Sequence, residues 1–134
     1  MRSVEHATIG AVVSTLATAL LARGRSLPTK LALWIYGVLL SVFIDLDHFL
    51  IARLKTGSWS YFTRAVRHPV WAFTEQRDVF PDVEMRGDRL VSHVFIGYAL
   101  FGLLRRASHL LAIFSAIIVT AHVLAVVLRE LRIA

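Results

Sequence analysis

Four long apolar stretches, Val4 to Ala22, Leu31 to about Ala52, Val91 to Leu104 and Ser108 to Leu128, constrain this chain more than any other feature. A hydrocarbon core about 30 Å thick asks for about 20 apolar residues per helix, with about 17 near the lower limit. The first and fourth stretches meet that length. The second does so once its polar end is counted, and the third does so if its helix begins upstream, near Asp88. Lipid offers no partner to backbone N–H and C=O groups, so stretches of this kind cross it as helices that satisfy their own backbone. The predicted fold is all-α: one membrane-embedded domain over residues 1–134, an integral bundle of about four transmembrane helices.

Composition supports this reading. The chain is 57% apolar, above the roughly one-half share of a soluble domain. It has no cysteine, so disulfides and thiolate metal sites are excluded. Lys and Arg outnumber acids 15 to 9, for a net charge of +6. These basic residues mostly flank the apolar segments, where anionic head groups account for them, so the expected partner is the lipid bilayer and not nucleic acid. Met1-Arg2 before an apolar run resembles a leader. Glu5 and His6 interrupt that n-region and three more apolar segments follow, so the first stretch reads as a spanning helix. Ala7 with Ala11, and Gly10 with Ser14, have the small-xxx-small spacing of close helix packing, although an ordinary Ala-rich helix is the simpler account.

Residues 53–90 differ in character. They hold seven of the basic residues, five of the acids and the aromatics Trp59, Tyr61, Phe62, Trp71, Phe73 and Phe80, interrupted by Pro69, Pro81 and Gly87. Trp and Tyr beside Arg belong at the membrane–water boundary, so one or two short interfacial helices and a loop are predicted between helices two and three.

Ionisable residues inside spanning segments are costly and mark functional sites. Here they are His6, Asp45, Asp47, His48, His93 and His122. If all four segments span, the N-terminus, the 53–90 segment and the C-terminus share one side, and all six residues converge near that face. On a regular helix Asp45 and His48 are neighbours, while Asp47 points elsewhere and is free to act as base, as orienter or as ligand to a second ion. Carboxylate plus imidazole is the ligand set of a divalent metal. His109 and His68 read instead as packing or surface residues. Arg23, Arg25, Lys30, Arg105 and Arg106 are the only basic residues on the far side, against ten on the site side. The expected location is the inner or plasma membrane, and that bias favours a cytoplasmic N-terminal side.

At these residues the chain resembles a family of membrane-bound, metal-dependent hydrolases described as LexA-binding and inner-membrane-associated (the YdjM-like family). His6-Ala-Thr-Ile-Gly10 is similar to its N-terminal His element, and Asp45-Leu46-Asp47-His48 to the Asp-x-Asp-His that ends its second helix. Arg89-Leu-Val-Ser92-His93 is similar to its basic loop and Ser-His, and His122 to its later His. The chain has Ile44, Asp88 and Val126 where the family commonly has Pro, His and Asp.

The function expected is a metal-dependent membrane hydrolase acting on a phospholipid or other amphiphilic ester. His6, Asp45, His48, His93 and His122 would hold a divalent ion, zinc first and manganese second, with a position left for water. Asp47 would be the general base or orienter, and Arg64, Arg67 or Arg89 would bind a phosphate. The alternative is a non-enzymatic membrane protein whose cluster is a structural metal site or polar network, docking a soluble partner through 53–90. Ion or proton transport is disfavoured, because the polar groups gather at one face.

Overall fold

The computed structural model describes residues 3–75 and 78–133, without the side chains of Ser3, Arg86, Glu130, Arg132 and Ile133. Met1 and Arg2, weighed above as the start of a leader, lie outside the described residues. The chain runs α1 (Ser3–Leu21), α2 (Leu27–Phe43), a 3₁₀ turn (Ile44–Leu46), α3 (Asp47–Thr56), α4 (Ser60–Arg67), α5 (Pro69–Thr74), α6 (Arg86–Ala107) and α7 (His109–Ile133). Among the described residues there is no strand.

Four helical stretches are long and apolar enough to cross a membrane: Val4–Leu21, Leu27–Thr56, Gly87–Ala107 and His109–Arg129. The second starts four residues earlier than Leu31, because Pro28 occupies the first turn, where its missing N–H costs nothing. The third starts at Arg86, upstream of the apolar run, which supplies the length that Val91–Leu104 lacks. At 1.5 Å per residue the 30 residues of Leu27–Thr56 reach about 45 Å. Asp45 to His48 lie about 27–32 Å along it, where a hydrocarbon core ends.

The helices form two antiparallel hairpins. The α1/α2 turn, 22–26, is closed by Arg25 N–H donating to Ala22 O at 3.0 Å. The α6/α7 turn is the single residue Ser108, whose extended backbone breaks the helix and whose Oγ accepts from Leu111 N–H at 3.3 Å as the cap of α7. α7 packs against α1, α2 and α6, and α3 packs against α6.

Around an apolar core of Ala17, Ala22, Leu33, Phe114 and Ile118, the outer face is apolar as well and several polar residues are buried. Leu16, Leu20, Leu31, Ile35, Tyr98 and Leu128 face outward, whereas Ser14, Thr18, Ser41 and Ser115 are buried between helices. Leucine in lipid gains nothing by turning inward, so close backbone approach and polar contacts decide the interface. The Gly10–Ser14 pair of α1 is therefore such a packing surface, which corrects the simpler Ala-rich account for that pair, while Ala7 and Ala11 are half-buried. A Cβ on Gly10 would lie 2.6 Å from Ser41 Cβ, and one on Gly37 would strike Ser14 Oγ and lie 2.8 Å from the Phe114 ring. Polar bonds cross the same interfaces: Trp34 Nε1–H donates to Thr15 Oγ1 at 3.0 Å, and Tyr36 and Ser115 hydroxyls meet at 2.8 Å.

Among the described residues, the 53–90 segment holds the short helices α4 and α5 between the end of α3 and the start of α6. α3 ends at Gly57, whose positive φ of 74° lets its N–H bond back to Arg53 O at 2.9 Å. Phe80 then packs its ring against Phe49 (5.0 Å) and Tyr61 (5.7 Å), next to a small core of Ile51, Ala52 and Met85. Lys55 pairs with Asp88 and donates to Glu84 O at 2.5 Å, holding the loop against the start of α6.

Candidate metal centre

Five elements bring the six ionisable residues together. His6 stands one turn into α1, Asp45 in the 3₁₀ turn, Asp47 and His48 at the start of α3, His93 two turns into α6, and His122 about three turns before the end of α7. Their side chains are at most 8% exposed. Two contacts set the α1 end in place: Ser41 Oγ donates to His6 O at 2.9 Å, and Arg129 pairs with Glu5 at 2.5 Å.

Asp45 is the hub. Its Oδ2 lies 3.1 Å from His6 Nε2, and its Oδ1 lies 3.0 Å from His93 Nε2, 3.5 Å from His122 Nε2 and 3.6 Å from His48 Nε2. The imidazoles form a stepped row, with centroids 4.5 Å apart for His6 and His122, 4.9 Å for His122 and His93, and 5.4 Å for His93 and His48.

Asp47 does not point elsewhere. The His93 ring is inserted between the two carboxylates, so one nitrogen meets each: Nε2 faces Asp45, and Nδ1 lies 3.2 Å from Asp47 Oδ2. Asp47 Oδ2 also accepts from Ser92 Oγ, and its Oδ1 faces His48 Nε2 at 3.7 Å. Helical spacing alone missed this because it counts positions on one helix, and the bridging ring comes from another. The same limit hid Ser41, and it gave Ser92, noted only beside His93, no partner. Phe80, whose ring edge meets His48 at 6.2 Å, carried no signal beyond its aromaticity.

The three arginines are spread out. Arg89 is half-buried, one turn before His93, and its charge is within Coulombic reach of His48. Arg64 and Arg67 are exposed on α4, and the Arg64 guanidinium stacks on Trp71 at 4.5 Å. His68 and His109 are exposed and outside the cluster.

A divalent cation suits this donor set. His48 Nε2, His122 Nε2 and Asp47 Oδ1 are buried without a hydrogen-bond partner, although a buried polar atom normally has one. The donor atoms of His6, Asp45 and His122 lie within 4.8 Å of one another, as do those of Asp45, Asp47, His48 and His93. Beside the cluster runs a groove of about 380 Å³ between α6 and α7, lined by Val94, Gly97, Tyr98, Val119, Val123 and Leu124 among others. Gly97 lies one turn from His93 and Val119 one turn from His122, so the groove begins next to the cluster in sequence, and none of the six cluster residues lines it.

No family model, curated protein or solved structure matches this chain.

Proposed function

We propose that this chain is a metal-dependent hydrolase of the inner or plasma membrane, acting at one membrane face on a phospholipid or another amphiphilic ester. The observation that carries the reading is Asp45 ringed by four buried imidazoles from separate helical elements, with the Nε2 atoms of His48 and His122 left without a hydrogen bond. A purely structural network would be expected to close those bonds internally. The resemblance to the YdjM-like family points the same way.

His6, Asp45, His48, His93 and His122 would hold the ion. Mixed nitrogen and carboxylate donors favour zinc, with manganese the alternative. Bound there, a divalent cation supplies Lewis-acid polarisation and a water able to act as nucleophile near neutral pH. The protein's own groups do the rest. Ser92 holds Asp47, and Asp47 in turn orients His93 as the carboxylate behind an imidazole ligand. Asp47 Oδ1, buried without a hydrogen bond, would accept a proton from water. Arg89 would bind a phosphate beside the cluster, with Arg64 and Arg67 reaching head groups from α4. The apolar groove between α6 and α7 would take an acyl chain, because its outer wall is exposed at lipid depth (Tyr98 77%, Leu124 55%).

The test combines elemental analysis of detergent-purified protein with turnover of short-chain phospholipid and phosphate-ester substrates. Metal and turnover present in the wild type, and both lost in His93→Ala and His122→Ala, are the expected results. Wild type that binds neither zinc nor manganese after reloading would remove the hydrolase reading. The exposed apolar and basic surface of α4 and α5 (Val66, Val70, Arg64, Arg67) favours the rival, a non-enzymatic protein that docks a soluble partner there. Metal bound without turnover of any ester in that panel would favour it.

A further inference from the structure

We propose that the cluster holds two divalent cations bridged by the Asp45 carboxylate. This rests on the metal reading above and extends it to the number of ions and the division of the ligands. The six side chains do not converge on one point. They fall into two groups, His6, Asp45 and His122 on one side, and Asp45, Asp47, His48 and His93 on the other, with Asp45 in both. The hub's two oxygens face differently: Oδ2 is nearest to His6 Nε2 at 3.1 Å, and Oδ1 is nearest to His93 Nε2 at 3.0 Å. A carboxylate used from both oxygens toward different imidazoles is placed as a bridge between ions, and hydrolytic two-ion sites keep their ions about 3.5–4 Å apart.

Each group also holds a spare nitrogen, His122 Nε2 in the first and His48 Nε2 in the second, both facing Oδ1 at 3.5 and 3.6 Å, so Oδ1 lies between the two groups while Oδ2 faces His6. Asp47 belongs to the second group by distance, but its Oδ2 is engaged by Ser92 and lies 3.2 Å from His93 Nδ1, which places it behind His93. Each ion then has three protein donors: His6, Asp45 and His122 for one, and Asp45, His48 and His93 for the other. Three donors leave coordination positions open, as hydrolytic sites require. A single ion would strand part of this donor set, because His6 and His48 reach Asp45 from opposite oxygens.

The experiment is manganese loading of the chelator-stripped, detergent-purified full chain, read by metal content per chain and by electron paramagnetic resonance. We expect two manganese ions per chain in the wild type, with the spectrum of an exchange-coupled pair. His48→Gln and His6→Gln should each retain one ion and show the uncoupled spectrum, while Asp45→Asn should lose the coupling. Circular dichroism and a monodisperse elution profile check that each variant is folded. A folded wild type that saturates at one ion, or binds two without coupling, overturns the bridged pair and leaves the single-site reading intact. Binding of neither manganese nor zinc overturns both.

Discussion

The Asp47 carboxylate separates two kinds of work within one cluster. Its Oδ2 is spent on Ser92 and His93, and its Oδ1 is buried without a partner. Asp47→Asn should therefore leave bound metal near the wild-type level while lowering turnover by roughly 10²–10⁴-fold, the range of general-base catalysis. Metal content and initial rates on one preparation decide this, and loss of metal together with rate would make Asp47 a ligand. Ser92→Ala removes only the hydroxyl that holds Asp47. We expect the rate to fall less than in Asp47→Asn, with metal content unchanged.

Among the elements, the α1/α2 hairpin depends on backbones that approach too closely for side chains. Gly37 has Ser14 Oγ and Phe114 where a Cβ would stand, so Gly37→Ala should destabilise the protein by about 1–3 kcal/mol, the usual cost of overpacking. Gly102, inside α6, has nothing within 4 Å of its Cβ position. Gly102→Ala should be neutral or stabilise by up to about 1 kcal/mol through helix propensity. Thermal unfolding in detergent compares the two, and equal shifts would contradict the packing argument. The second spanning stretch shows how far periodicity reaches at this scale. Its apolar run from Leu31 is evident in the sequence, but the 3₁₀ turn at Ile44–Leu46 is not. We have no local sequence rule that requires that turn.

At the scale of the molecule, the cluster joins α1, α3, α6, α7 and the 3₁₀ turn, so ion binding and bundle stability should be linked. A ligand at 100 times its Kd that binds only the folded form adds about 2.7 kcal/mol. Loading stripped protein with zinc should raise the unfolding midpoint, and EDTA should reverse the rise. An unchanged midpoint would mean that no ion bridges these elements. The absence of native cysteine also makes topology directly measurable. With the N-terminal side in the cytoplasm, Arg25→Cys should label from outside intact cells and Arg67→Cys only after lysis. The reverse pattern would invert the orientation that the basic residues imply.

The sequence by itself determined that this is an all-helical chain with four lipid-compatible segments, and that its costly ionisable residues gather near one face. Both follow from local quantities: segment length, hydropathy and the position of each charge along its own helix. The inward turn of the Ser and Gly faces, the place of Asp47 in the cluster and the sharing of Asp45 between two imidazole groups were decided only by tertiary structure. His6 and His122 stack although 116 positions separate them, and one His93 ring reaches both carboxylates of a different helical stretch. Such contacts depend on how each helix is rotated about its axis against its neighbours. Hydropathy leaves that rotation open in lipid, where apolar side chains gain as much from the bilayer as from one another.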